Sequence, residues 1–135
     1  RIPVAGGDVL HAMKTTDPGF SGFGEAYFST VEPGAVKAWK RHRRITLNLV
    51  APIGVVRVVI HDDRLGSPTC GVFTQVLLST ESYCRLTVPP MLWVGFQGLG
   101  DITAMLLNVA NMVHDPAEID RRRIEAFSFD WSEVR

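Results

Sequence analysis

Residues 37–64 read KAWKRHRRITLNLVAPIGVVRVVIHDDR. The first eight of these hold five of the chain's fourteen Lys and Arg residues and one of its four histidines. The rest reads as a strand, a turn at Gly54 and a second strand, because Val, Ile and Leu dominate and glycine punctuates them. Side chains of a strand alternate between faces. Lys40, His42 and Arg44 therefore share one face, and Arg41 and Arg43 the other. Two readings follow. In one, the charges form a solvated strand edge or a nucleic-acid patch. In the other, Lys40 and His42 turn inward, which demands a hydrated cavity that accepts an anion, since a buried lysine is costly without a partner.

Similar short runs lie on both sides. GEAYFSTV (24–31), VFTQVLLS (72–79), YCRLTVPP (83–90), LWVGFQGL (92–99) and TAMLLNVAN (103–111) are separated by turn residues at spacings of about ten, the pattern of an all-β sandwich or barrel. One helix is expected, in DPAEIDRRRIEAF (115–127). It has an Asp at the cap, Pro at the first helical position and Glu118 three residues after Asp115. RIPVAGGDVLHAMK (1–14) reads as a further strand, suited to covering an edge of a partner's sheet.

The 135 residues suffice for a single domain spanning 1–135, with a core that needs neither disulfide nor metal. Fourteen basic residues balance fourteen acidic ones, which argues against a general nucleic-acid binder. No run approaches the length of a membrane helix, and no signal peptide is visible, so a cytoplasmic protein without a membrane partner is expected. Cys70 and Cys84 lack metal spacing and read as buried thiols in a reducing compartment.

Metal-binding cupins share a motif of Gly, five residues, His-x-His, three or four residues, Glu, six residues, Gly. Here the same frame is occupied by Gly34, Lys40, His42, Leu47 and Gly54. Their second motif places a histidine where this chain has Val94. One histidine at four ligand places cannot hold a divalent ion, so no metal is expected.

The chain more closely resembles the dTDP-4-dehydrorhamnose 3,5-epimerases. The resemblance rests on KAWKRH, NLVAPIG, VVIHDDR, GSPTCG, VLLSTESYCRLTVPP and MLWVGF, in that order, from about residue 24 to about residue 112. KAWKRHR is also similar to the Arg-Gly-x-His-x-His-Lys heptad of the dTDP-sugar 3,4-ketoisomerases, matching it at His42. The resemblance implies a cupin jelly-roll barrel of two antiparallel sheets. It further implies a homodimer, a nucleotide-linked sugar as ligand and no cofactor. Lys40 stands where the epimerases keep their basic histidine, Ala38 replaces the glycine of Arg-Gly, and no tyrosine occupies the usual acid position. His114 is nearby.

The roles this implies are as follows. His42 is the base and Lys40 the cation for an enolate oxygen. Tyr27 or His114 returns the proton. Glu25, on the face of Tyr27 and Ser29, either orients His42 or neutralises Lys40, or is an ordinary edge carboxylate. Lys37 matches an arginine that contacts diphosphate. Arg44, Asn48, Arg64 and Trp93 complete the candidate substrate contacts, with an Asp62 salt bridge as the plain alternative for Arg64 and packing for Trp93. Two functions remain open. One is a sugar-nucleotide epimerase or ketoisomerase acting on a 4-keto-6-deoxyhexose. The other is a non-catalytic cupin that binds sugar nucleotide or carbohydrate in polysaccharide biosynthesis. A nucleic-acid or protein-binding module is disfavoured by the charge balance.

Overall fold

The computed structural model describes residues 1–132. Two sheets face each other, and every pairing between their strands is antiparallel. The first runs in the order β1 (Glu25–Val31), β8 (Ala104–Ala110), β3 (Leu47–Ile53), β6 (Leu86–Val88). The second runs β5 (Phe73–Ser79), β4 (Val55–His61), β7 (Trp93–Leu99), β2 (Val36–His42), β9 (Ile119–Arg121). This is the jelly-roll barrel expected from the sequence.

Alternation builds the core. Val31, Leu47, Leu49 and Leu106 project from the first sheet against Val56, Val58, Leu78 and Val94 of the second. Val56, Val58 and Leu78 are fully buried, and each such side chain stabilises by roughly 1.5–3 kcal/mol. Between β3 and β4 the chain reverses at Gly54 with φ +74°, and a Cβ there would sit 2.8 Å from Ala104. Both the left-handed backbone and the close approach require glycine.

The C-terminal segment departs from expectation. No α-helix forms over 115–127. Asp115 caps a single 3-10 turn, Pro116–Glu118, by accepting from the Ala117 N–H at 3.0 Å. The chain then extends as β9 along β2, pairing Ile119 with His42 and Arg121 with Lys40, and makes a second 3-10 turn at Ile124–Ala126. Extended pairing wins because β2 offers an open edge and the acids gain specific partners. Asp120 lies across from Arg41 and accepts from Arg41 and Arg43 at 2.8 and 2.6 Å.

Beyond the second turn, Phe127, Phe129 and Trp131 recur at a spacing of two and cover the outer face of the five-stranded sheet. They pack on Trp39, Val59, Phe73 and Trp93. Trp39 lies 5.4 Å from both Phe127 and Trp131, ring centre to ring centre. Under this strap the Arg57 guanidinium is buried, donating to Gln97 and to the Trp131 carbonyl.

Three further expectations need correction. Cys70 and Cys84 are exposed rather than buried, since both fall in loops outside the sheets. Residues 1–14 form no extended strand; a turn over 5–7 folds the segment back, leaving one bridge between Ile2 and Val9. Asn48, a candidate substrate contact whose direction the sequence leaves open, points away from the barrel interior. Among the described residues no helix is long and apolar enough to cross a membrane.

Leu78→Ala removes a fully buried side chain. It should cost about 2–5 kcal/mol, read as a lower urea midpoint at unchanged slope.

Candidate functional site

A cavity of about 360 Å³ opens between the sheets. Its apolar floor is Val31, Leu47, Leu49, Val94, Phe96 and Leu106. Leu47 and Val94 are the positions where a metal-binding cupin keeps ligands. The polar wall carries Tyr27, Ser29 and Asn108 on one sheet and Lys37, Lys40, His42, Arg121 and Arg122 on the other side. Among the described residues four cations line the space and no carboxylate does.

Strand β2 places Lys37 and Lys40 on the same cavity although they are three positions apart. Strict alternation forbids this. The register of β2 against β7 shifts between Lys37 and Lys40, and this irregularity re-aims the side chains. Lys37 Nζ donates to the Thr30 carbonyl at 3.2 Å. Partial burial, then the charges of Arg121 and Lys37, pull the Lys40 ammonium below its usual 10.5. That makes Lys40 a stronger hydrogen-bond donor to a developing oxyanion.

His42 meets a carboxylate, but the partner is Glu118. The Nδ1–Oε1 separation is 2.5 Å, and Glu118 is 2% exposed. Its other oxygen accepts from the backbone N–H groups of Arg44 and Ile45 at 3.1 and 3.3 Å. Burial pushes the Glu118 carboxyl upward, yet the bonds from His42, Arg44 and Ile45 outweigh it and hold the group below 4.5. An ionised Glu118 fixes the proton on Nδ1 and leaves Nε2 free as the basic nitrogen.

The other sequence candidates lie elsewhere. Glu25 makes no hydrogen bond or ion pair with Lys40 or His42 among the described residues, because it sits at the far end of β1, opposite Ala110. His114 is exposed in the connection after β8. Arg44 lies past the end of β2 and reaches Asp115 at 3.3 Å. Asn48 is buried beneath the N-terminal segment, with its amide on the Gly19 carbonyl and Thr87 on its Oδ1. Arg64 grips Asp62 together with Ser67 and Thr69 in the β4–β5 loop, far below the usual carboxylate range for Asp62. Trp93 packs under Arg41 at 4.7 Å and donates its indole N–H to Asp63 at 2.9 Å. None of these six lines the cavity.

No family model matches the chain. A solved dTDP sugar isomerase from Desulfovibrio desulfuricans G20 is 41% identical, superposes with a TM-score of 0.93, and is matched over 99% of this chain and 87% of its own. The chain belongs to the dTDP-sugar isomerase and epimerase family of cupins. A probable low-salt glycan biosynthesis epimerase of Haloferax volcanii is 33% identical over 100 residues, 73% of this chain. This chain spans 64% of that protein's length. A dTDP-4-dehydrorhamnose 3,5-epimerase structure from Elizabethkingia anophelis, 20% identical with a TM-score of 0.73 over 83% of this chain and 63% of its own, shares the fold.

Within this family frame, the sequence reading missed Glu118, Arg121, Arg122 and Asn108. The first three fall in the helix expected over 115–127, and the β2–β9 pairing instead brings Arg121 and Arg122 to the cavity and Glu118 to His42. Asn108 had a visible signal. It is the polar member of the inward set Ala104, Leu106, Asn108, Ala110 on an otherwise apolar strand.

Asp120 locks β9 to β2. Its bonds from Arg43 and Arg41 lower its carboxyl from 3.8 to about 2. The stabilisation is therefore complete above 3.8 and lost as pH falls through about 2. Asp120→Asn should lower the urea midpoint at neutral pH, and its deficit against the parent protein should shrink across that acid window.

Proposed function

We propose that the chain is a sugar-nucleotide epimerase or isomerase that acts on a nucleotide-linked 4-keto-6-deoxyhexose. The observation that carries this reading is a histidine held by a buried carboxylate at the wall of a cavity whose charged lining, among the described residues, is entirely cationic. The names of the relatives, a dTDP sugar isomerase and a glycan biosynthesis epimerase, agree with it.

The residues divide the work by charge. Lys37, Arg121 and Arg122 hold the diphosphate, whose negative charge they match at the mouth. The apolar floor receives the sugar and its unhydroxylated methyl carbon. His42 Nε2 takes a proton from the carbon beside the keto group, and the C–H electron pair moves to the carbonyl oxygen. Lys40 donates to the enolate that results. Tyr27 O–H returns a proton to carbon and the enolate reverts to a ketone. The imidazolium then loses its proton to solvent, and the tyrosinate regains one, so the cycle closes.

Incubation with a dTDP-4-keto-6-deoxyhexose in D2O should place deuterium in the sugar. His42→Asn keeps an N–H for Glu118 but removes the base, so exchange should fall by about 10²–10⁴-fold with the fold retained by circular dichroism. Full exchange in that variant, or none in the parent protein, would reduce the chain to a binding protein. Lys37→Ala should raise KM with little change in kcat, because a diphosphate contact serves ground state and transition state alike.

A further inference from the structure

Asn108 is buried at 4% exposure and lies opposite Tyr27 in the β1–β8 register. Its two amide atoms have different partners on two neighbouring strands. Oδ1 accepts from the Asn48 backbone N–H of β3 at 3.1 Å, and Nδ2 lies 3.0 Å from the Tyr27 hydroxyl of β1. A backbone N–H can only donate, so the atom facing Asn48 must be the oxygen. The amide cannot flip without burying two donors against each other, at the full desolvation cost of both. Nδ2 is thereby fixed as the donor to Tyr27. The tyrosine oxygen accepts in this bond, and its own proton has to point elsewhere. Tyr27 and Asn108 both line the cavity.

We infer that Asn108 is a positioning residue that aims the Tyr27 hydroxyl proton into the cavity and so makes Tyr27 the acid that completes epimerisation. This rests on the proposed epimerase chemistry and adds to it the residue that orients the proton-returning hydroxyl. In the step itself, the Tyr27 O–H bond breaks, a C–H bond forms at the enolate carbon, and the enolate oxygen becomes a carbonyl again. The phenolate left behind stays hydrogen-bonded by Asn108 Nδ2, which strengthens as charge develops on that oxygen.

Asn108→Asp is the decisive variant. It retains an oxygen for the Asn48 N–H and keeps the side-chain shape, but it replaces the donor to Tyr27 by an acceptor. The Tyr27 proton then turns to the new carboxylate and away from substrate. Deuterium wash-in driven by His42 should persist. Formation of the epimerised product should fall by about 10²–10⁴-fold, the range for losing a general acid, as in Tyr27→Phe. The double variant should be no worse than either single change. A purely structural role would instead lower wash-in and product together and add to Tyr27→Phe.

A second measurement needs no substrate. The chain has two tyrosines, and the Tyr83 hydroxyl donates to the His11 carbonyl, away from the cavity. In a Tyr83→Phe background only Tyr27 contributes to the tyrosine Raman doublet, whose intensity ratio separates accepting from donating phenols. The ratio should report an accepting oxygen, and Asn108→Asp should shift it toward a donor. An unchanged ratio, or product formation in Asn108→Asp at the parent rate, overturns the assignment. A shifted ratio in a protein that never exchanges solvent deuterium upholds the hydrogen-bond geometry while ending the epimerase reading and Tyr27's role as its acid.

Discussion

The buried carboxylate of Glu118 is the constraint on which the site depends. A charge so far from water persists only when its oxygens are fully occupied. One oxygen takes the imidazole of His42, and the other takes two backbone N–H groups at the turn after β2. The same three bonds tie the start of β9 to the end of β2, set the histidine's tautomer and close the cavity wall. Replacing Glu118 by an apolar residue would leave two backbone donors and an imidazole N–H without partners. The structure and the proposed chemistry thus rest on one side chain.

The cavity shows how a cupin frame is put to a different use. Where a metal-binding relative keeps three histidines and a glutamate, this chain has Lys40, His42, Leu47 and Val94. Two of the four places become floor and one becomes a fixed cation. Charge is then gathered at the wall and mouth of the cavity, from β2 and β9, above an apolar base. An anionic ligand with an apolar end fits this division without coordinate bonds, because the cations meet its charge and the leucines and valines meet the rest.

Much of the fold was legible in the sequence, and the reason is periodicity. Apolar alternation marked β1, β3, β4, β5, β7 and β8 to within a few residues, and Gly54 marked the tight reversal. The C-terminal region misled because DPAE carries the signals of a helix start while its continuation is extended. Local capping competed with an open strand edge, and the edge won through Asp120 and Glu118. The alternating FSFDW pattern at 127–131 was the clue to the extended state. In the site, the sequence brought Lys37, Lys40, His42 and Tyr27 to notice. It supplied the wrong carboxylate in Glu25, since pairing of segments some 75 residues apart leaves no trace in local spacing.

The position of β9 also places the site's weak point at a margin. Strands β1 to β8 build both sheets and the apolar core without it. Displacement of residues 118–122 from the edge of β2 would strip His42 of its carboxylate and the cavity of Arg121 and Arg122 while leaving that core in place. The charge of the receptacle is thus held by a short edge strand and not by the packing that holds the barrel.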